Sequence, residues 1–246
     1  MKINPNHDVA SLAKELAERR RLQVRDMFDS RTAEEIHRLL VEETPWWLVY
    51  NIGDRVEQIP PEQLARLHPE QAERIFSGVV DRARTQYQFV YAAYPMVAPY
   101  FNPNLSQAPI LRLFEFLNTA PVLDWFRRLT GREDIQWIDG QATLYQSGHF
   151  LKSHSDRDEE NTRAAAYVLN FTRVWERDWG GYLQFFNDDH DIELALRPIF
   201  NAMNIFLVPT DHSVGVVAPF AGGDRLSVTG WLRTNAPPGP FGRIAL

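Results

Sequence analysis

Residues 152–160 read Lys-Ser-His-Ser-Asp-Arg-Asp-Glu-Glu. His154 and Asp156 stand two positions apart. In an extended segment, residues i and i+2 share a face. An imidazole and a carboxylate then converge on one point, which is part of a site for a divalent metal. The H-x-D pattern is weak in isolation, but here an apolar pair, Phe150 and Leu151, frames it after a glycine turn. Arg157, Asp158, Glu159 and Glu160 continue the run. They read as a solvated loop at the mouth of any pocket there, where they could select a basic substrate.

A second imidazole, His212, lies in LVPTDHSVGVV at the end of an apolar strand. In a rolled sheet, distant strand ends can meet. His154, Asp156 and His212 would then form a 2-His-1-carboxylate set, which leaves three positions open on an octahedral Fe(II). Arg225 opens the strand RLSVTGWL, on which Arg225, Ser227, Thr229 and Trp231 point one way and Leu226 and Val228 the other. Two readings stand. If the Arg225 face is inward, its guanidinium needs an anionic partner, and a bound dicarboxylate held by a bidentate fork would supply one. If that face is solvated, Leu226 and Val228 form the core.

Other polar clusters are less suggestive. NDDHDIE (187–193) reads as a solvated loop tip, and His7, His37 and His68 read as surface residues. Trp179-Gly180-Gly181 is either a plain turn or a point of close backbone approach beside the site.

Strands must position these residues, and the second half of the chain supplies them. IQWIDGQATLYQSG, AAAYVLNFTRVW, GGYLQFFND, NAMNIFLVP, HSVGVVAPF and RLSVTGWLRT are short apolar or alternating runs divided by Gly, Asn, Asp and Pro. That pattern predicts a sandwich or barrel. The first half reads as mostly helical. Val9, Leu12, Ala13 and Leu16 recur at helical spacing, and Thr32 with Glu35 suggests a capping box. WWLVYN (46–51) is a strand candidate, a helical pattern runs from Pro61 towards Tyr87, and two short helices split near Pro121 and end near Gly131. The fold class expected is α+β in one domain. Residues 1–130 form a mainly helical support region, 131–235 an all-β catalytic core, and 236–246 an irregular tail.

The 246 residues carry a net charge of −6 and no cysteine. Thiolate metal sites, disulfides and cysteine nucleophiles are excluded, and no basic face for general nucleic-acid binding is evident. The N-terminus lacks a signal-peptide core, and no apolar run reaches membrane-spanning length. A cytoplasmic protein without a membrane partner is expected.

The ordered set Tyr145, His154-Ser155-Asp156, Gly180-Gly181, His212, Arg225-x-Ser227 and Trp231 resembles the Fe(II)- and 2-oxoglutarate-dependent oxygenases. Within them it is most similar to the prolyl-hydroxylase branch, and in that branch to the catalytic domain of ribosomal-protein prolyl hydroxylases such as the yeast translation-termination-associated protein. The likeness covers about residues 135–233, through LYQSGHFLKSHSDRD, AYVLNFTRVWERDWGGYLQFF and DRLSVTGWL. The second, inactive oxygenase-like domain of those hydroxylases has no counterpart in these residues. The resemblance implies a double-stranded β-helix, or jelly roll. It also implies Fe(II) held by His154, Asp156 and His212, with 2-oxoglutarate held by Arg225. Tyr145 would help to hold the cosubstrate, Ser227 and Thr229 would support it, and Trp231 would line the pocket. O2 is the other cosubstrate, and ascorbate is a further cofactor that the resemblance allows. The implied activity is hydroxylation of an unactivated C–H bond, on a prolyl residue of a protein or peptide, with release of succinate and CO2. Halogenating relatives lack the carboxylate that Asp156 supplies. Two alternatives are an oxygenase acting on a free small molecule and a non-catalytic jelly-roll metal-binding module.

Overall fold

The computed structural model describes residues 1–105 and 107–245. The chain opens with helix α1 (Val9–Arg19), whose first amides bond the Asp8 carboxylate. Arg20 ends it in the left-handed region and passes into strand β1 (Arg21–Val24). Helix α2 (Ser30–Glu42) begins two residues before Thr32, and its cap is Asp29, which accepts from Thr32 N at 2.8 Å. The capping box expected at Thr32 is therefore misplaced: Thr32 is buried, and its hydroxyl accepts from Lys2 N. Next come the hairpin β2 (Trp47–Ile52) and β3 (Arg55–Ile59), helices α3 (Pro61–Leu64) and α4 (Pro69–Ala83), and strand β4 (Phe89–Pro95). Helices α5 (Val97–Phe101), α6 (Leu111–Leu117) and α7 (Ala120–Thr130) follow, and α7 stops at Gly131, φ 66°. The remaining strands are β5 (Trp137–Ile138), β6 (Gln141–Tyr145), β7 (Phe150–His154), β8 (Arg163–Asn170), β9 (Leu183–Phe186), β10 (Ile192–Leu196), β11 (Ala202–Leu207), β12 (His212–Val214) and β13 (Arg225–Arg233).

All the strand pairings are antiparallel. One face runs β1-β11-β8-β13-β6-β4 and the other β7-β12-β9-β10. Strand β4 joins them, pairing with β6 through Ala92–Pro95 and with β7 through Phe89–Val90. The result is the jelly-roll, double-stranded β-helix architecture, with helices packed on its first face. The first 130 residues are mainly helical but also provide β1 to β4. Strand β4 is an interior strand, so residue 131 is not a seam in the sheet.

Side-chain alternation explains where the core lies. On β13, Leu226, Val228 and Leu232 pack with Leu16, Ile36, Phe114 and Phe126 of the helical layer. On β8, Ala165, Tyr167 and Leu169 join the same cluster, while Ala166 and Val168 turn inward beside Leu183, Phe185 and Phe206. Each buried aliphatic or aromatic side chain contributes roughly 1.5–3 kcal/mol. That burial on the outer face frees the inner face to be polar. Among the described residues, no helix is long and apolar enough to cross a membrane.

Candidate active site

His154 is the last residue of β7 and His212 the first of β12, and the two are register partners. Sheet pairing alone therefore brings their rings to 4.3 Å between centroids. Asp156 lies in the connection that follows β7. The Nδ1 atoms of His154 and His212 each lie 2.9 Å from a backbone carbonyl two residues earlier, at Lys152 and Thr210. A carbonyl only accepts, so Nδ1 carries the hydrogen and the Nε2 lone pair is left for a metal. Those Nε2 atoms stand 3.4 and 3.5 Å from the two Asp156 oxygens. Three donor atoms, all within 4.8 Å of one another, form the potential metal cluster of the described residues. Two imidazoles and one carboxylate fit an Fe(II) ion with open positions.

The electrostatics agree with that fit. Burial would raise the Asp156 carboxyl, but the neighbouring His154 and His212 imidazoles outweigh it and hold it below the ordinary carboxylate range. Burial pushes the His212 imidazole down, against the pull of Asp156, and so favours its neutral, ligating form.

Arg225 is 1% exposed and has no salt bridge among the described residues, and its Nε has no hydrogen-bond partner. Burial lowers its pKa, opposed by Tyr145. Tyr145 is its register partner on β6, and the guanidinium carbon lies 4.9 Å from that ring. The Tyr145 ring in turn stacks on Tyr91 at 5.1 Å. A buried cation without an anion is costly, and a bound dicarboxylate fits the deficit. The cavity that Arg225 shares with His154, Asp156 and His212 has a volume of about 230 Å³, suited to a small molecule.

Of the two readings of β13, the inward one describes Arg225, Thr229 and Trp231, which line this cavity. Ser227 does not line it. It is fully buried and bonds Thr143 Oγ1 at 2.8 Å, and Thr143 does line the cavity. Leu226 and Val228 are also core, on the opposite face. The Trp231 indole N–H is buried without a well-formed bond, although it helps to hold Asp156 ionised. Gly180 and Gly181 are a close approach rather than a plain turn. A Cβ on Gly180 would sit 2.1 Å from the Val216 carbonyl oxygen, and one on Gly181 would sit 3.0 Å from Trp175 and 3.7 Å from Arg225.

Several residues depart from the sequence reading. Asp158 is not a solvated charge, since it bonds Thr162 and Arg233, whereas Arg157, Glu159 and Glu160 are exposed. His68 is exposed, but His7 and His37 are half-buried against the carbonyls of Asp26 and Phe171. His190 sits on the exposed β9–β10 turn, as expected. Tyr87 and Tyr91 line the cavity, with the Tyr87 ring 5.5 Å from His154, and neither was anticipated. Their signal was the alternation Tyr87, Phe89, Tyr91 at strand spacing.

Residues 140–233 match the 2OG-Fe(II) oxygenase superfamily. No curated protein matches the chain. Among solved structures, a Pseudomonas putida prolyl-4-hydroxylase is 19% identical with a TM-score of 0.54, over 96% of this chain and 99% of that one. A Burkholderia pseudomallei oxidoreductase of the 2OG-Fe(II) oxygenase family is 11% identical, TM-score 0.62, over 96% and 95%. A Trichoplax adhaerens prolyl hydroxylase, in complex with a hypoxia inducible factor oxygen degradation domain peptide fragment, is 13% identical, TM-score 0.57, over 92% and 89%. At these identities the structures share the fold. The superfamily match supports a 2-oxoglutarate-dependent dioxygenase, for which Fe(II), 2-oxoglutarate and O2 are the implied cofactors, and the His154–Asp156–His212 cluster fits the iron.

Proposed function

We propose that this chain is an Fe(II)- and 2-oxoglutarate-dependent hydroxylase whose substrate is a prolyl residue of a protein or peptide. One observation carries the reading: a single cavity holds a two-imidazole, one-carboxylate donor set and a buried guanidinium that lacks an anion. In this reading His154, Asp156 and His212 hold the metal. Arg225 takes the distal carboxylate of 2-oxoglutarate in a charge-assisted fork. The Tyr145 and Thr229 hydroxyls give it further polar contact, Trp231 walls the pocket, and Ser227 braces it from behind through Thr143.

When bound, Fe(II) and 2-oxoglutarate supply O2-dependent oxidation of a C–H bond, with one oxygen atom going to the substrate and succinate and CO2 released. The chain supplies position and shielding. The two Nδ1–carbonyl bonds fix the tautomer and aim the Nε2 lone pairs, the cavity walls limit water, and the Tyr87 side sets the approach of a substrate to the metal. Ascorbate would act as an accessory reductant of the iron.

The prolyl substrate rests on the resemblance over 135–233 and on the prolyl hydroxylases among the structural neighbours, one of them bound to a peptide. A ribosomal-protein substrate is the narrower form of the same reading. The chain would act as one oxygenase domain, with 131–235 carrying catalysis, 1–130 supporting it and 236–246 as its tail. A cysteine-free composition is in keeping with the cytoplasm. The test is succinate formation with Fe(II), 2-oxoglutarate and O2. A proline-containing peptide should stimulate it and gain the mass of one oxygen on the proline, and its proline→alanine version should do neither. Stimulation by a free metabolite, with no response to any proline peptide or protein fraction, would move the assignment to a small-molecule substrate.

A further inference from the structure

Asp156 is the one triad member that no strand holds. His154 and His212 are fixed by sheet register, but Asp156 belongs to the connection 155–162 between β7 and β8. Ordering such a segment costs about 1–2 kcal/mol per residue. Something must therefore hold it before a metal arrives, or metal affinity would bear that cost.

The structure supplies a tether from the end of β13. Arg233 Nε donates to Asp139 Oδ2 at 2.7 Å, and its Nη1 donates to Thr162 Oγ1 at 2.9 Å and to Asp158 Oδ2 at 3.3 Å. Asp158 also accepts from Thr162 N at 2.8 Å, which closes the connection on itself. Asp139 is 5% exposed and accepts from Trp231 N at 2.6 Å, so the inner end of the tether is rigid. Arg163, next to Thr162, lies over the Trp231 ring at 3.9 Å, stands 3.9 Å from Asp158 Oδ2 through its Nε, and donates from Nη1 to the Asp156 carbonyl at 3.1 Å. The tether thus runs from core carboxylate to loop carboxylate through one guanidinium, and the loop carries the donor.

We propose that Arg233 is a positioning residue for Asp156: by bridging Asp139 to Asp158 and Thr162 it fixes the 155–162 connection and so sets the metal affinity of the site. The proposal rests on the ligand reading of the triad given above. Arg233 touches neither metal nor substrate. Its bridging depends on a planar fork with several donors, which a lysine's single ammonium does not reproduce. Partners that orient a metal ligand are typically worth 10- to 100-fold in affinity.

The experiment titrates Mn(II) into the intact protein, reading bound ion by electron paramagnetic resonance, with Tm measured in parallel. Arg233→Lys keeps a cation against buried Asp139, and Asp158→Asn leaves the Arg233–Asp139 pair untouched, so each retains the core. Both should raise the Mn(II) Kd about tenfold or more with little change in Tm. The double variant should be no weaker than the worse single one, because both cut the same tether. A Kd within twofold of the parent in either single variant overturns the proposal, whatever happens to Tm. Asp156→Ala separates the two levels. If it abolishes Mn(II) binding while Arg233→Lys or Asp158→Asn does not weaken it, only the tether fails. If it binds like the parent, the ligand reading itself is wrong.

Discussion

At the scale of the residue, Arg225 makes the sharpest prediction because its two states differ so much. Without an anion it is a buried, uncompensated cation, and with one it gains charge-assisted bonds worth roughly 1.5–3 kcal/mol each. Arg225→Met should therefore raise the 2-oxoglutarate requirement by roughly 10- to 100-fold or more while leaving the Tm of the ligand-free protein unchanged or higher. Titrating 2-oxoglutarate against succinate release, alongside a melt without ligand, checks both signs. Tyr145→Phe should cost less, since the ring keeps its stack on Tyr91. His149 gives a pH prediction. It is 4% exposed, stacked on Phe76, and accepts from Gln146 N. Burial lowers its pKa to about 4, against weaker upward pulls from the Leu144 backbone and Asp224. Below the ordinary histidine value the unfolded chain takes a proton that the folded one refuses. This contribution to stability is thus complete above about pH 6.5 and is lost as pH falls towards 4, by roughly 3 kcal/mol. Urea unfolding across that range should show the slope, and His149→Gln should flatten it. Apolar framing and strand ends pointed to His154, Asp156 and His212 as a group, whereas alternation left Arg225 with two readings and only the resemblance favoured the inward one. Arg233 was not legible, because its partners Asp139 and Asp158 become neighbours only in the folded sheet.

At the scale of the element, periodicity was a good guide wherever one face of an element is exposed. Helices α1 and α2 and strand β9 show their burial in their spacing, while β6, β8 and β11 were found as short apolar runs bounded by turn residues. Strand β4 is buried along nearly its whole length and reads FVYAAYP, a continuous apolar run in which no polar residue alternates with the apolar ones. Strand β1 is only four residues long. Both were missed, and β4 is the strand that joins the two faces of the site. The glycines at 180–181 mark a different constraint. Gly180 has φ 68° and ψ −145°, a conformation reserved for glycine, and its backbone bridges Val217. Gly180→Ala should destabilise the protein by at least about 1–3 kcal/mol from backbone strain, before the clash with Val216 is counted. A lower urea midpoint with an unchanged m-value would report it. A midpoint equal to the parent's would show that this approach is slack.

At the scale of the whole molecule, the helical layer and the tail close over the outer face of the sheet, away from the cavity. Phe241 of the tail packs against Tyr100 and Phe114, at 5.4 and 5.7 Å between ring centroids. Glu115 of α6 is buried, and its carboxylate takes the amides of Gly242, Arg243 and Ile244 at 2.8, 3.0 and 3.2 Å, together with the Tyr100 hydroxyl. Burial alone would raise the Glu115 pKa, but these hydrogen bonds prevail and lower it. A depressed carboxyl stabilises the fold at pH above its unfolded value, and that stabilisation disappears as pH falls through the folded one. Residues 236–245 have no helix or strand, but this carboxylate holds the segment in place. Glu115→Gln puts an amide among four donors, so one side of it can accept nothing and repels what it faces. The variant should lose roughly 1–3 kcal/mol near neutral pH and become open to protease cleavage in the tail. The deficit relative to the parent should shrink as both are taken to acid, where the parent's carboxylate is protonated. None of these residues lines the cavity. Succinate formation per folded molecule should therefore match the parent, and a drop in that rate would show that the tail is coupled to the site across the sheet.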